Sequence, residues 1–389
     1  MPDLFEVFGG HFMSELGDPY PAYARLRRES PVLPLDLPLG TAYFVSRYRD
    51  VATVLRDNVL FSSRINAEGI GFVMGRTILE MDGKEHNRHR ALINPVFVPK
   101  ALGGGLPGVI ADIAHRLIDA FARDGKADLV AQFTRTFPLR VIAHIIGLPI
   151  EDYEQFQRWA LAIISMGSDP GGAIDGAEKL VDYLRPIVAL RRREPQGDLM
   201  TELVQAEVDG HGLSDEEVYS FLRLLVPAGA ETTYRLIGNT LAALLGNPEQ
   251  LDEVRAKRSE IEWALEESLR WEAPVCFASR ETTAPTELAG VEIPARSGIM
   301  VAISSANRDE SKYPEPARYD FHRHADDHVA FGGGKHFCVG ANLARLESRI
   351  ALEAVFDRLK NVRLDAPEIP GVYGLAFRSP RSLPAVFDR

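Results

Sequence analysis

Only two cysteines occur in the 389 residues, Cys276 and Cys338. A pair is too few for a four-cysteine zinc site, and no histidine pair stands at finger spacing around them. A disulfide framework is unnecessary in a chain this long, and sparse cysteine suits a reducing compartment. Long apolar runs are missing as well. Nowhere do about 18 apolar residues follow one another, so no transmembrane helix and no membrane partner are expected. The first residues, Met1-Pro2-Asp3-Leu4-Phe5-Glu6, lack the basic and apolar regions of a secretory leader. The expected location is the cytoplasm. Positive charge is in deficit, with 44 Lys and Arg against 55 Asp and Glu. The resulting net charge of −11 repels phosphate and argues against a nucleic-acid partner. Internal repeats, low-complexity tracts and long linkers are absent too.

What is present is enough apolar material for a large core, 46% of the residues. Length alone suggests two or three domains. The missing composition break argues instead for one domain over residues 1–389. Apolar spacing predicts a short helix at 19–28, a strand at 41–46 and a helix at 50–56. From about 86 to 257 the pattern is mostly helical. Strands punctuated by Pro and Gly follow at 281–302, then a helix at 342–359 and a short strand at 382–387. The fold class is therefore mainly α with a smaller β portion.

One helix is unusually long. Ser214 and Glu217 form a capping-box pattern at its start. Its pattern continues to Leu245, where Gly246-Asn247-Pro248 stops it. Some 30 residues at 1.5 Å each span roughly 45 Å, enough to cross a domain. Its middle reads Pro227-Ala228-Gly229-Ala230-Glu231-Thr232-Thr233. Pro227 removes a hydrogen bond and crowds the carbonyl of Arg223. Gly229 weakens the helix. Thr232 can bond back to the carbonyl of Ala228. The expectation is a kink at the centre, which serves either a function or close packing.

The strongest local signal is Phe331-Gly332-Gly333-Gly334-Lys335-His336-Phe337-Cys338-Val339-Gly340. The glycines permit φ > 0 and close approach to a flat ligand. Cys338 falls just before a helix start, where free N–H groups and the helix dipole favour a thiolate. A phosphate-binding loop does not fit, because His336 follows Lys335 and Val329 stands where Gly is required. A dinucleotide loop fails at Phe337. Glu267 and Arg270 lie three apart on one helix face, with Ser259 and Glu262 as its capping box. Alone, that pair reads as a solvated surface pair. His86 and Arg90 lie four apart and project together.

The cysteine loop resembles the haem-binding signature of the cytochrome P450 family, F-x-x-G-x-x-x-C-x-G, at Phe331, Gly334, Cys338 and Gly340. The resemblance covers nearly the whole chain. Tyr48-Arg49-Asp50-Val51 and Asn307-Arg308-Asp309 also match it. It implies the P450 fold and haem b, with Cys338 ligating the iron. Phe331, Gly332, Gly340 and Ala228 would lie against the cofactor. His86, Arg90, Arg280 and His336 would meet the haem propionates. Glu267 and Arg270 would form the family's buried Glu–Arg motif, with Arg318 as third partner. Residues 228–233 resemble the oxygen-binding groove, with Thr232 holding dioxygen and Glu231 relaying protons. Glu231 stands where many members have Asp, which lengthens the carboxylate's reach.

The implied activity is monooxygenation. One atom of O2 enters a small-to-medium hydrophobic substrate, with two electrons from a separate ferredoxin and ferredoxin reductase. A peroxygenase or oxidative-coupling outcome is the alternative within enzymes. The retained Glu231–Thr232 pair argues against it, as it does against a haem sensor or electron carrier. By position, Phe72, Val73, Leu225, Val275, Phe277 and Phe377 are the substrate candidates, with Ile70, Met74, Ile163, Met166 and Leu375 beside them. The stretch 70–74 is read as loop. Arg88, His89, Lys335, Arg345 and Arg349 suggest a basic patch for an acidic electron donor. Exchanging Arg345 and Arg349 for Glu is expected to weaken ferredoxin-supported turnover.

Overall fold

The long helix organises the molecule. In the computed structural model, which describes residues 17–37, 40–366 and 368–389, it runs as one unbroken element through Pro227. Seven helices frame the site: α1 (Tyr20–Glu29), α2 (Tyr48–Arg56), α3 (Asn66–Met74), α4 (Gly83–Ile93), α5 (Asp215–Leu245), α6 (Glu260–Trp271) and α7 (Ala341–Arg358). The predicted helix spans agree with α1, α2, α5 and α7 to within a few residues. The stretch 70–74, read as loop, lies in α3. The reading of Met1 to Glu6 falls outside the described residues.

The long helix starts as its sequence dictates. The Ser214 side chain accepts from the Glu217 backbone N–H, and the Glu217 carboxylate accepts from the Ser214 N–H. Such a cap contributes about 1 kcal/mol. The capping box expected for α6 does not form. Ser259 has helical φ and ψ, and its side chain makes no cap bond. A helical N-cap backbone turns the hydroxyl away from the N–H groups it would accept from.

The main sheet contains β1 (Val32–Leu37), β2 (Gly40–Val45), β3 (Phe61–Ser62), β4 (Phe277–Thr282) and β5 (Gly298–Ala302) in the order β1-β2-β5-β4-β3. Only the β2–β5 pair is parallel. The register sets Arg280 opposite Ile299 and so fixes which face of β4 looks inward. The familiar segments meet: the Tyr48 N–H donates to the Asp309 carboxylate at 2.8 Å.

Two apolar clusters divide α5 between them. Val218, Leu222, Leu225, Val226 and Ala230 belong to one, with α3, α4 and the helices of residues 137–204. Leu236, Ile237 and Leu241 to Leu245 belong to the other, with α6 and α7. The polar residues Glu231, Thr232 and Arg235 fall between them. A buried helix that exposes its middle marks the wall of a cleft, and Ala228 is exposed there. Among the described residues no helix is long and apolar enough to cross a membrane.

Candidate active site

The cysteine loop is a turn closed by backbone bonds. The Cys338 N–H donates to the Phe331 carbonyl at 2.9 Å, and the Gly332 N–H to the Val329 carbonyl at 2.9 Å. Gly332 and Gly334 adopt φ of +74° and +61°. A Cβ on Gly334 would stand 2.7 Å from the Leu55 carbonyl oxygen. Part of the glycine requirement thus comes from the close approach of α2, not from a flat ligand. On Gly340 a Cβ would meet nothing within 4 Å, so that side of the loop is open.

Cys338 is exposed. Burial nevertheless pushes its thiol pKa up, against the N–H groups of Gly340 and Ala341 and the charges of Arg90 and Arg345. Both hold for a sulfur walled by protein and open on one side. The helix-start amides act as expected, but desolvation outweighs them. A metal ion would supply the remaining bias, since a coordinated thiol is deprotonated. Phe331 is half-buried, with the Arg345 guanidinium 4.5 Å above its ring.

Four cationic or donor groups converge beside the loop. The rings of His86 and His336 lie 4.1 Å apart. His336 bonds Ser63 Oγ at 3.0 Å and Asp82 at 3.3 Å. Arg90 donates to the Phe337 carbonyl at 2.6 Å. Arg280 is buried, and its one hydrogen bond among the described residues goes to the Ser279 carbonyl. Burial lowers the pKa of both arginines. It also lowers that of His86 to about 4, aided by His336 and Arg90.

In α5, the Thr232 hydroxyl donates to the Ala228 carbonyl at 2.7 Å. Glu231 is buried and pairs with Arg235 one turn on. Val275 bridges to Phe377, which is exposed, as is Phe72. Val73 and Leu225 are core members of one cluster. Phe277 is not brought to the others. It packs on Tyr23 and Phe44, on the face of β4 away from Arg280, as strand alternation requires.

The Glu–Arg motif forms as expected. Arg270 clasps Glu267 through two bonds of 2.7 Å, both residues fully buried. Arg318 is not its third partner. Its side chain is exposed and pairs with Asp320, and only its carbonyl reaches Arg270. Arg323 takes that place, 3.5 Å from Glu267. The short turn at Phe321–Arg323 carries Arg323 inward and leaves Arg318 outside.

The basic patch is largely neutralised. His89 is buried against Glu217 at 2.7 Å, Arg345 pairs with Glu266, and Arg349 with Glu353. Arg88 and Lys335 remain exposed.

The family model described as "Cytochrome P450" matches residues 151–368. A cytochrome P450 of Bacillus subtilis (strain 168) is 35% identical over 360 residues, 89% of this chain and 88% of that one. The chain belongs to the cytochrome P450 family. A vitamin D(3) 25-hydroxylase of Pseudonocardia autotrophica is 36% identical over 95% of this chain and 91% of its own. The solved structure of cytochrome P450 CYP109Q5 from Chondromyces apiculatus superposes with a TM-score of 0.88, at 37% identity and 95% coverage of both chains. As a P450, the chain is a haem-thiolate monooxygenase and an oxidoreductase, with Cys-ligated haem b as cofactor.

The residues present fit that cofactor. Both ring nitrogens of His86 are buried without a hydrogen-bond partner among the described residues. Arg280 is buried without a carboxylate. Porphyrin propionates would satisfy both. An accessible cysteine stands beside them, with open space at Gly340. Sequence reasoning missed Asp82 and Ser63, which hold His336, and Arg323 and Arg235. Only Arg235 carried a signal, its i+4 spacing from Glu231.

Proposed function

We propose that Cys338 would hold the haem iron and that the chain, acting as one domain in the cytoplasm, oxidises a small-to-medium hydrophobic molecule. The observation that carries this is an accessible Cys338 near the buried His86 and Arg280, which bond no carboxylate among the described residues. His86, Arg90, Arg280 and His336 hold the propionates. Phe331, Gly332, Gly340 and Ala228 border the ring. Bound through a thiolate, haem activates dioxygen with two electrons, so that one oxygen atom enters the substrate and the other leaves as water.

The chain's own residues handle protons and position. The Thr232 hydroxyl rests on the Ala228 carbonyl and can rotate to donate into the groove. Glu231, the next residue, supplies a carboxylate for the relay. Phe72, Val275 and Phe377 give the apolar character of the substrate wall. A ferredoxin with its reductase supplies the electrons, and the exposed Arg88 and Lys335 suit an acidic donor.

The test is the absorption spectrum of the reduced protein with carbon monoxide. A strongly red-shifted Soret band is expected, and Cys338→Ser abolishes it. A band at the position of His-ligated haem, or no haem at all, would overturn the assignment.

A further inference from the structure

Glu231 is gripped on one oxygen only. Its Oε1 accepts from Arg235 Nε at 2.9 Å, from Arg235 Nη2, and more distantly from the Tyr234 hydroxyl at 3.4 Å. Among the described residues nothing donates to its Oε2. That oxygen is also not among the buried unpartnered atoms, so it is accessible. A carboxylate with one oxygen saturated and the other open has a fixed direction.

Arg235 is itself fixed. Its remaining nitrogen, Nη1, donates to Ser379 Oγ at 3.0 Å. Its guanidinium lies 4.9 Å from the Tyr234 ring centre and 5.7 Å from that of Phe377. The planar fork is thus spent on two partners, Glu231 in α5 and Ser379 in the strand Ser379–Pro380. A lysine could keep the charge but not this geometry. One edge of the fork aims the acid, and the other ties it to the segment that carries Phe377.

We infer that Arg235 is a positioning residue for the proton relay: it holds Glu231 by Oε1 so that Oε2 faces the groove beside Thr232, and it links that orientation to the Ser379 segment. The inference rests on the reading of Glu231 and Thr232 given above. Arg235 acts only through Glu231. Its removal therefore matters when Glu231 is present and does not matter once Glu231 has been replaced.

The test uses carbon monoxide as the probe on the reduced holoprotein and needs neither substrate nor redox partner. The infrared stretching band of bound CO responds to the hydrogen bonds and charges of the groove. Glu231→Gln, Arg235→Ala and the double variant are compared with wild type, together with thermal midpoints. The expected result is a shifted or broadened band in both single variants and a double variant that matches Glu231→Gln. Arg235→Lys should fall between wild type and Arg235→Ala, and serves as the readout if Arg235→Ala does not fold. Midpoint losses of the two single variants should exceed that of the double when summed. A band unmoved by Arg235→Ala while Glu231→Gln moves it, or strictly additive shifts, would overturn the inference. A wild-type protein without the red-shifted Soret band would instead overturn the haem-thiolate reading, and the role of Arg235 with it.

Discussion

The imidazole of His86 lies 4.1 Å from that of His336, and neither nitrogen of His86 has a hydrogen-bond partner among the described residues. Burial, His336 and Arg90 hold its pKa at about 4. An unfolded histidine titrates near pH 6.5. The unfolded chain therefore takes up this proton first. Haem-free protein should lose stability as pH falls from about 6.5 to about 4, by up to about 3 kcal/mol from this group. A propionate beside His86 favours its charged form and should remove the loss. Urea unfolding across this window, with and without haem and with His86→Phe, checks it. Equal slopes in all three would contradict it.

Arg323 and Arg318 separate cleanly. Arg323→Ala takes a cation from buried Glu267 and should cost about 1–3 kcal/mol. Arg318→Ala removes an exposed side chain and should stay within about 0.5 kcal/mol. Thermal unfolding of the two variants decides between them.

Glu266 binds Arg345 at 2.6 and 2.8 Å and His328 at 3.1 Å. Burial raises its pKa, but Arg345 and His328 outweigh that and bring it to about 2. Its contribution is complete above about pH 4.5 and disappears as pH falls towards 2, on the order of 3 kcal/mol. Glu266→Gln should flatten the acid limb of stability against pH. Charge reversal at Arg345 should therefore destabilise the protein itself. Donor docking is better probed at Arg88 and Lys335, by the salt dependence of reduction.

Glycine is required at one position of the cysteine loop and not at another. Gly334→Ala forces a Cβ against the Leu55 carbonyl at a residue with φ of +61°. It should cost several kcal/mol and yield little haem-loaded protein, by about the scale of strained backbone plus overpacking. Gly340→Ala meets nothing within 4 Å of protein and should leave the haem-free fold intact. Haem content per chain and far-ultraviolet circular dichroism separate the two effects.

Much of the fold was legible because it rests on local patterns. The Ser214–Glu217 cap, the Pro stop and the long apolar helix are short-range signals. The Thr232 back-bond was legible for the same reason. The cysteine loop could be read because its spacing is itself the motif, whereas the buried Glu267–Arg270 pair was legible only through the family resemblance that loop carries. What escaped depends on tertiary approach. Arg323 displaced Arg318 because a turn, invisible to helix or strand periodicity, carries it inward. Phe277 left the candidate wall because strand alternation and the aromatic rings of Tyr23 and Phe44 decide its face. The basic patch dissolved because carboxylates on other elements, Glu217 and Glu266, arrive at His89 and Arg345.

The strand order also sets a timetable. Val45 pairs with Val301, and Phe61 with Thr282. During synthesis at roughly 5–20 residues per second, some 250 residues and about 12–50 s separate β2 from its parallel neighbour. His336 and Cys338 leave the ribosome after that wait, and Arg280 shortly before it ends. His86 and Arg90 emerge long before them, so the two halves of the cofactor site cannot meet until Cys338 has been made. Haem capture thus waits for the cysteine loop, and a chain stalled before it would expose cationic residues with nothing to hold.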